Sequence, residues 1–128
     1  MQIRMQRLII KGRLPGLNDY IAAERKHRQA AAKMKREAED LVLWAAKASR
    51  LRKIPTPVTM HFLWVEPNRK RDKDNISSFG RKVIQDALVK GGYLDGDGWK
   101  YIEGFTDSFE VGDPRIEIRF EEANHEQT

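Results

Sequence analysis

The sequence contains no cysteine, and this absence excludes disulfides, thiolate zinc sites and cysteine nucleophiles. Any bound metal ion must therefore be held by oxygen ligands or by the three histidines, His27, His61 and His125. These histidines lack the close spacing of a zinc-binding helix, which favours oxygen ligation. The sequence also lacks a long apolar run, so it predicts neither a membrane span nor a secretory leader, and the expected location is the cytoplasm.

Basic residues outnumber acidic residues. The 128 residues include 24 Lys and Arg and 19 Asp and Glu, which gives a formal net charge of +5. This excess favours a polyanionic partner, although the need for a soluble surface explains charge alone equally well. The length and the even composition indicate one domain, residues 1–121, followed by a polar tail, residues 122–128.

Hydrophobic periodicity in the first half of the chain predicts a strand and then a helix. Residues 3–10 alternate between apolar and polar and predict the strand. Residues 20–49, rich in Ala, Lys, Arg and Glu, predict one long helix, and Asn18 and Asp19 are suitable caps for it. The apolar face of this helix is predicted from residues at three- and four-residue spacing: Met34, Ala38, Leu41, Ala45 and Ala48.

The second half of the chain predicts one helix and three strands. Residues 58–65 are mostly apolar on both faces, which indicates a central strand. Residues 76–87 predict a second amphipathic helix, with Asn75 as its cap and Gly91-Gly92 as its stop, and with Ile76, Phe79, Val83 and Ala87 on its apolar face.

Two final segments complete the predicted fold. Residues 99–111 and 115–121 predict a pair of strands joined by the turn Gly112-Asp113-Pro114, with Ile116, Ile118 and Phe120 turned inward. The predicted fold class is therefore α/β (α+β), a small mixed sheet of about four strands with two main helices packed against it.

The stretch Arg69-Lys70-Arg71-Asp72-Lys73-Asp74-Asn75 places two aspartates among cations just after the central strand. Because side chains two apart in an extended segment point the same way, Asp72 and Asp74 are expected to converge on one ion. Asp97, from the later turn Asp95-Gly96-Asp97-Gly98, could complete the cluster. Mg²⁺ needs few protein carboxylates, and the cations can hold phosphate, so the pattern predicts metal-dependent chemistry on nucleic acid.

These positions also have structural explanations. Asp74 and Asn75 are ordinary capping residues before a helix, whereas Asp72 has no such explanation. The turn at residues 95–98 suits a simple connection between helix and strand. The basic run can be a solvated loop. Taken one at a time, the residues leave both interpretations open.

Taken together, residues 67–102 resemble RusA-type Holliday junction resolvases. The likeness rests on the motif at residues 69–75, on Ile84-Gln85-Asp86-Ala87-Leu88 and on the stretch from Gly92 to Ile102, and it extends to the opening strand and the turn at residues 14–18. It implies a homodimeric, magnesium-dependent endonuclease of phage or prophage type that cuts four-way DNA junctions by paired nicks. Mn²⁺ would substitute for Mg²⁺, and no small-molecule cofactor is implied.

The resemblance assigns metal binding and catalysis to Asp72, Asp74 and Asp97. Gly96 replaces the first member of the acidic doublet that the family usually carries, and Asp95, one place earlier, is a reserve ligand.

A catalytic lysine of the family falls on Ser78, so that assignment does not transfer directly. Lys82 lies one helical turn further on and is the expected substitute, because lysine side chains are long and lean toward the start of a helix. Arg81 is the competing cation, and a solvated position for Lys82 is the alternative. DNA contacts are expected from Arg69, Lys70, Arg71, Lys73, Asn75, Arg81, Lys11 and Arg13.

Two other functions stay open. A nuclease for a broader set of branched or flapped DNAs would use the same residues. A non-catalytic basic module would bind nucleic acid and use the aspartates only as caps and turns. The partners expected from the resemblance are branched DNA and a second copy of the chain.

Overall fold

The computed structural model describes residues 5–123, which form three helices and four strands. The order is β1 (Met5–Lys11), α1 (Leu17–Lys26), α2 (Arg28–Ala48), β2 (Val58–Glu66), α3 (Lys73–Lys90), β3 (Ile102–Val111) and β4 (Arg115–Glu122). The predicted α+β class is confirmed. Residues 3 and 4 of the predicted first strand and residues 124–128 of the predicted tail lie outside the described residues.

The four strands form one mixed sheet in the order β1-β4-β2-β3. Strand β2 runs parallel to β3 and antiparallel to β4, which also pairs antiparallel with β1. The central position predicted for β2 is confirmed, since it has a neighbour on each side. One face of the sheet carries the core, with the following side chains of β2 and β4 fully or almost fully buried: Val58, Met60, Phe62, Trp64, Ile116, Ile118 and Phe120.

Strands β3 and β4 do not pair with each other, although only three residues join them. Strand β2 lies between them, and the connection crosses the end of β2, where the Gly112 N–H donates to the Glu66 carbonyl oxygen at 2.8 Å. Two strand spacings amount to about 10 Å, which so short a connection can span. The two predicted strands and the connection Gly112-Asp113-Pro114 are confirmed, but the expectation that the two strands pair with each other was wrong, because the more apolar β2 takes the inner position.

The long helix predicted over residues 20–49 is divided into α1 and α2. His27 has extended backbone angles, with φ −173° and ψ 128°, and belongs to neither helix. Neither Gly nor Pro marks the break in the sequence. The break turns α1 back so that it packs against both α2 and α3, a tertiary gain that outweighs the local helical propensity. Residues 5–123 thus contain three helices rather than two, and α1 packs on the other helices.

The buried stripe of α2 differs from the predicted apolar face. Leu41 is 49% exposed and Ala48 is also exposed, whereas Val42 and Ala46 are buried. Because this helix carries apolar residues on more than one side, the sequence does not define which side faces the core. The other predicted faces are confirmed, because all four residues named for α3 are buried.

Helix α3 lies close against the sheet at Gly80. A Cβ atom at this position would lie 2.9 Å from the Trp64 ring, so a larger residue would force helix and strand apart. The N-terminus of α3 is thereby held beside the C-terminal end of β2. The helix ends at Lys90, followed by the predicted stop at Gly91-Gly92.

Candidate functional site

Asp72 occupies the N-cap position of α3. Its backbone is extended, and its carbonyl oxygen accepts the hydrogen bond of the Ile76 N–H at 3.0 Å. Its side chain, however, makes no capping hydrogen bond. Asp72 therefore has the structural position that the sequence assigned to Asn75, but its carboxylate is not used to satisfy the helix.

Asp74 lies in the first turn of α3, because the helix already begins at Lys73. The argument that Asp72 and Asp74 are two apart in an extended segment was therefore wrong for Asp74. Both side chains are exposed, and neither makes a hydrogen bond or an ion pair with any other residue within residues 5–123. The positive end of the helix dipole favours negative charge at both positions.

Asn75 connects two helix N-termini instead of capping its own. Its side-chain oxygen accepts the N–H of Asn18, in the first turn of α1, at 2.8 Å. Gly16 permits this approach, since a Cβ there would lie 2.7 Å from the same oxygen. Asp19 accepts the Gly16 N–H at 2.8 Å and completes the cap of α1. The positive ends of α1 and α3 thus meet at the side of the candidate site, where anions are favoured.

Glu66 anchors the loop that carries Asp72. This carboxylate, at the end of β2, is 5% exposed and accepts two hydrogen bonds from the Arg71 guanidinium, at 2.9 and 2.7 Å. A third Arg71 nitrogen donates to the Leu14 carbonyl oxygen at 3.1 Å, and Arg13 lies 3.5 Å from Glu66. Arg71 was predicted to contact DNA, but its guanidinium is engaged within the fold.

Glu66 was missed by the sequence interpretation. The signal was available, since a carboxylate that ends an otherwise apolar central strand must find a cation when it is buried.

An open cleft of about 600 Å³ lies at this end of the sheet. Asp72 and Lys73 line it on the side of α3, and Phe109 lines it on the side of β3. Arg69, which also lines the cleft, and Lys70 are exposed on the connecting loop, as predicted for phosphate-binding cations.

The remaining predicted cations lie around the same end. Lys11 is exposed at the end of β1, and Arg13 is exposed apart from its contact with Glu66. Gly12, between them, donates its N–H to the Pro114 carbonyl oxygen at 2.9 Å, which ties this segment to the crossover at the end of β2. Most of the predicted DNA-contacting cations therefore share one edge of the molecule.

Lys82 points away from Asp72 in the structure. Its amino group lies 3.3 Å from Asp86, one turn further toward the C-terminus, and its side chain is 63% exposed. Asp86 also accepts a hydrogen bond of 2.7 Å from Lys35. Burial alone would raise the pKa of Asp86, but the hydrogen bonds from Lys35 and Lys82 lower the pKa overall, and the bond to Asp86 raises the pKa of Lys35.

Ser78, at the position of the family lysine, donates its hydroxyl to the Asp74 carbonyl oxygen at 2.7 Å. Arg81 pairs with Asp107 of β3. Neither Lys82 nor Arg81 contacts the two aspartates in this arrangement, so a catalytic role for either stays a prediction.

The acidic turn at residues 95–98 lies at the opposite end of the sheet from Asp72. The Ile54 N–H donates to the Tyr93 carbonyl oxygen and the Val58 N–H to the Tyr101 carbonyl oxygen, which places this turn beside the start of β2. Asp95 pairs with Lys53 at 2.6 Å. Helix α3, which separates Asp72 from the turn, has 18 residues and is about 27 Å long.

Asp97 therefore does not converge with Asp72 and Asp74 in one chain. No group of three or more His, Asp or Glu side chains placed to hold a metal ion occurs within residues 5–123. The expectation that three aspartates of the same chain meet was wrong, because α3 carries the chain back along the full length of the sheet.

Comparison of the chain with sequence models of known protein families gives no match, and comparison with curated proteins gives none. In the part of the chain that the structure describes, no helix combines the length and the apolarity needed to cross a membrane.

Proposed function

We propose that the protein is a magnesium-dependent endodeoxyribonuclease that resolves four-way DNA junctions. The observation that carries this proposal is the pair of exposed carboxylates, Asp72 and Asp74, at the N-terminus of α3. Neither carboxylate makes a capping hydrogen bond or an ion pair within residues 5–123, although basic residues lie on both sides of them in the sequence. The dipole of α3 stabilises both negative charges, and both side chains stay exposed and able to hold a cation. The choice of a junction as substrate comes from the resemblance to RusA-type resolvases.

The two carboxylates fit the requirements of Mg²⁺. This ion is usually held by one or two carboxylates, with water and substrate phosphate in its remaining positions. Bound there, it would neutralise charge on the phosphate and lower the pKa of a bound water. Arg69, Lys70 and Lys73 would hold the flanking phosphates, and the N-terminal amides of α3 would favour the same anions.

A second copy of the chain would supply Asp97. Because Asp97 lies about the length of α3 from the Asp72 of its own chain, it can take part in the site only from another subunit. A two-fold dimer would bring each Asp97 to the partner's aspartates and create two equivalent sites. Two such sites suit a four-way junction, whose strands are related by an approximate two-fold axis.

Mixing two inactive variants tests this arrangement. Asp72→Asn and Asp97→Asn dimers are each expected to be inactive on a junction. In a mixed dimer, one site would combine Asp72 of one subunit with Asp97 of the other and would be intact, so nicking is expected to return without paired cleavage. Strand-resolved gel analysis after subunit exchange measures this. Absence of any nicking by a confirmed mixed dimer would exclude a shared site.

The function itself is tested by cleavage of synthetic DNAs with and without Mg²⁺. We expect paired nicks in a four-way junction that depend on Mg²⁺, and slower cleavage of a flap and of a linear duplex of matched sequence. Comparable cleavage of flap and junction would favour the broader branched-DNA nuclease. Salt-sensitive binding without cleavage at any Mg²⁺ concentration would identify a non-catalytic nucleic-acid-binding module, since phosphate contacts alone give a steep salt dependence.

A further inference from the structure

An aromatic row on β3 extends from the candidate site along the edge of the sheet. Phe105, Asp107 and Phe109 are on the face of β3 that continues the core, because they pair in register with Met60, Phe62 and Trp64 of β2. Strand β3 is an edge strand, so this face is covered incompletely, and Phe105 is 44% exposed. The aromatic row therefore lies at the edge of the apolar core, where its rings are in part accessible to solvent.

Cations of α3 lie over both rings. The Lys73 amino group is 5.6 Å from the centre of the Phe109 ring, and the Arg81 guanidinium is 5.2 Å from the centre of the Phe105 ring. Lys73 and Arg81 are eight residues apart, close to two helical turns, so they share one side of α3. Two pairs, each of a cation and an aromatic ring, therefore lie along a groove between α3 and β3.

The side chains of this groove carry a net positive charge. Asp107, between the two rings, accepts a hydrogen bond of 2.8 Å from the Trp64 indole and pairs with Arg81, so its charge is neutralised. Lys73 has no ion-pair partner within residues 5–123. Glu110, which follows Phe109, lines the Asp72 cleft at the end of the groove rather than the space between the two rings. Lys73, Arg81 and Asp107 together therefore leave one net positive charge beside two rings, of which Phe105 is exposed and Phe109 is half-buried.

We propose that this groove, defined by Lys73, Arg81, Phe105 and Phe109, binds unpaired nucleotides of a DNA strand that leads to the Asp72 cleft. Aromatic rings and arginine planes stack on bases, and neighbouring cations hold the phosphates, which is how proteins bind single strands. The groove is continuous with the candidate site, since Phe109 and Lys73 line the same cleft as Asp72. A closed duplex hides its base faces except at ends and branch points, so the groove selects unpaired DNA.

This inference rests on the proposed function for the source of the strand, but its test does not require cleavage. Fluorescence anisotropy in EDTA would measure binding of a short single-stranded oligonucleotide and of the duplex of the same sequence. Phe105→Leu keeps apolar packing against Phe62 but removes the stacking ring. We expect it to weaken single-strand binding between about fivefold and a hundredfold and to leave duplex binding unchanged. Phe105→Trp, which enlarges the ring, is expected to retain or improve single-strand binding.

Trp44→Ala is the matched control. Trp44 is 74% exposed on α2, which packs against α1, α3 and β1, so this variant removes an exposed ring outside the groove. Its affinity for both DNAs is expected to match that of the unchanged protein. Equal losses for single strand and duplex in Phe105→Leu, or no loss for either, would overturn the proposal. A shift of Phe105→Leu from dimer to monomer in sedimentation would also overturn it and identify the row as a contact between two copies.

The two proposals fail in different ways. If single-strand binding depends on Phe105 but no junction is cut with Mg²⁺, the groove is a strand-binding site on a protein without the proposed activity. If junctions are cut with Mg²⁺ but Phe105→Leu binds single strands normally, the proposed nuclease stands and the groove has no part in strand binding.

Discussion

Replacing Asp72 or Asp74 by Asn is expected to reduce the rate of junction cleavage by roughly a hundredfold or more, while junction binding changes little. Asparagine keeps the shape of the side chain but removes the charge that would hold Mg²⁺, and metal assistance contributes several kcal/mol to such reactions. Binding is expected to persist because it depends on cations such as Arg69 and Lys70. Single-turnover cleavage and gel-shift titration of the same junction measure the two quantities separately.

Asp40→Asn is the matched control for these variants. Asp40 is exposed on α2 and makes no ion pair within residues 5–123, so its replacement removes the same charge from an unrelated surface. Cleavage by this variant is expected to equal that of the unchanged protein. Normal cleavage by Asp72→Asn at saturating Mg²⁺ would remove the basis for the proposed metal site. A parallel loss of binding and of thermal stability would show that the aspartates support the fold instead.

The sequence predicted elements well where the pattern is local. The mostly apolar residues 58–65 indicated a central strand, and the spacing from Ile76 to Ala87 indicated the buried side of α3; both predictions are confirmed. The break at His27 carries no local signal, because it is favoured by the packing of α1 against α2 and α3. The position of such a break depends on tertiary packing and cannot be predicted from the residues next to it in the sequence.

The error at Asp97 follows from the error in strand pairing. Residues 99–111 were expected to pair with the next strand, whereas β3 runs parallel to β2 and is connected to it through α3. In such a strand-helix-strand unit, the turn after the helix must return to the starting end of the first strand. Recognition of the parallel pairing would have placed Asp97 far from Asp72 without any coordinates.

The two aspartates after β2 could be located from the sequence because strand, loop and helix follow each other closely there. The contacts of the neighbouring residues could not be predicted in the same way. Arg71 was interpreted only as part of a basic run and Glu66 was not considered, whereas the structure pairs the two side chains in a mostly buried position. A run of like charges in sequence therefore divides in the structure into residues that support the loop and residues that face solvent.

Glu66→Ala is expected to lower the free energy of unfolding by about 3 kcal/mol, because it leaves the mostly buried Arg71 guanidinium without its carboxylate. Glu37→Ala, which removes an exposed partner of Lys33 on α2, is the control and is expected to cost less than about 0.5 kcal/mol. Urea unfolding followed by circular dichroism measures both changes. A loss in Glu66→Ala no larger than that of the control would show that the buried pair contributes little to stability.

Replacing both members of the pair separates stability from positioning. In Glu66→Leu/Arg71→Met no charge is left buried without its partner, so much of the stability lost in Glu66→Ala is expected to return. The loop before Asp72 would still lack the two hydrogen bonds to Glu66 and the one to Leu14 that fix it. Cleavage is therefore expected to stay low in the double variant at a temperature where it is folded. Full recovery of cleavage together with stability would show that Asp72 is held in place by α3 alone.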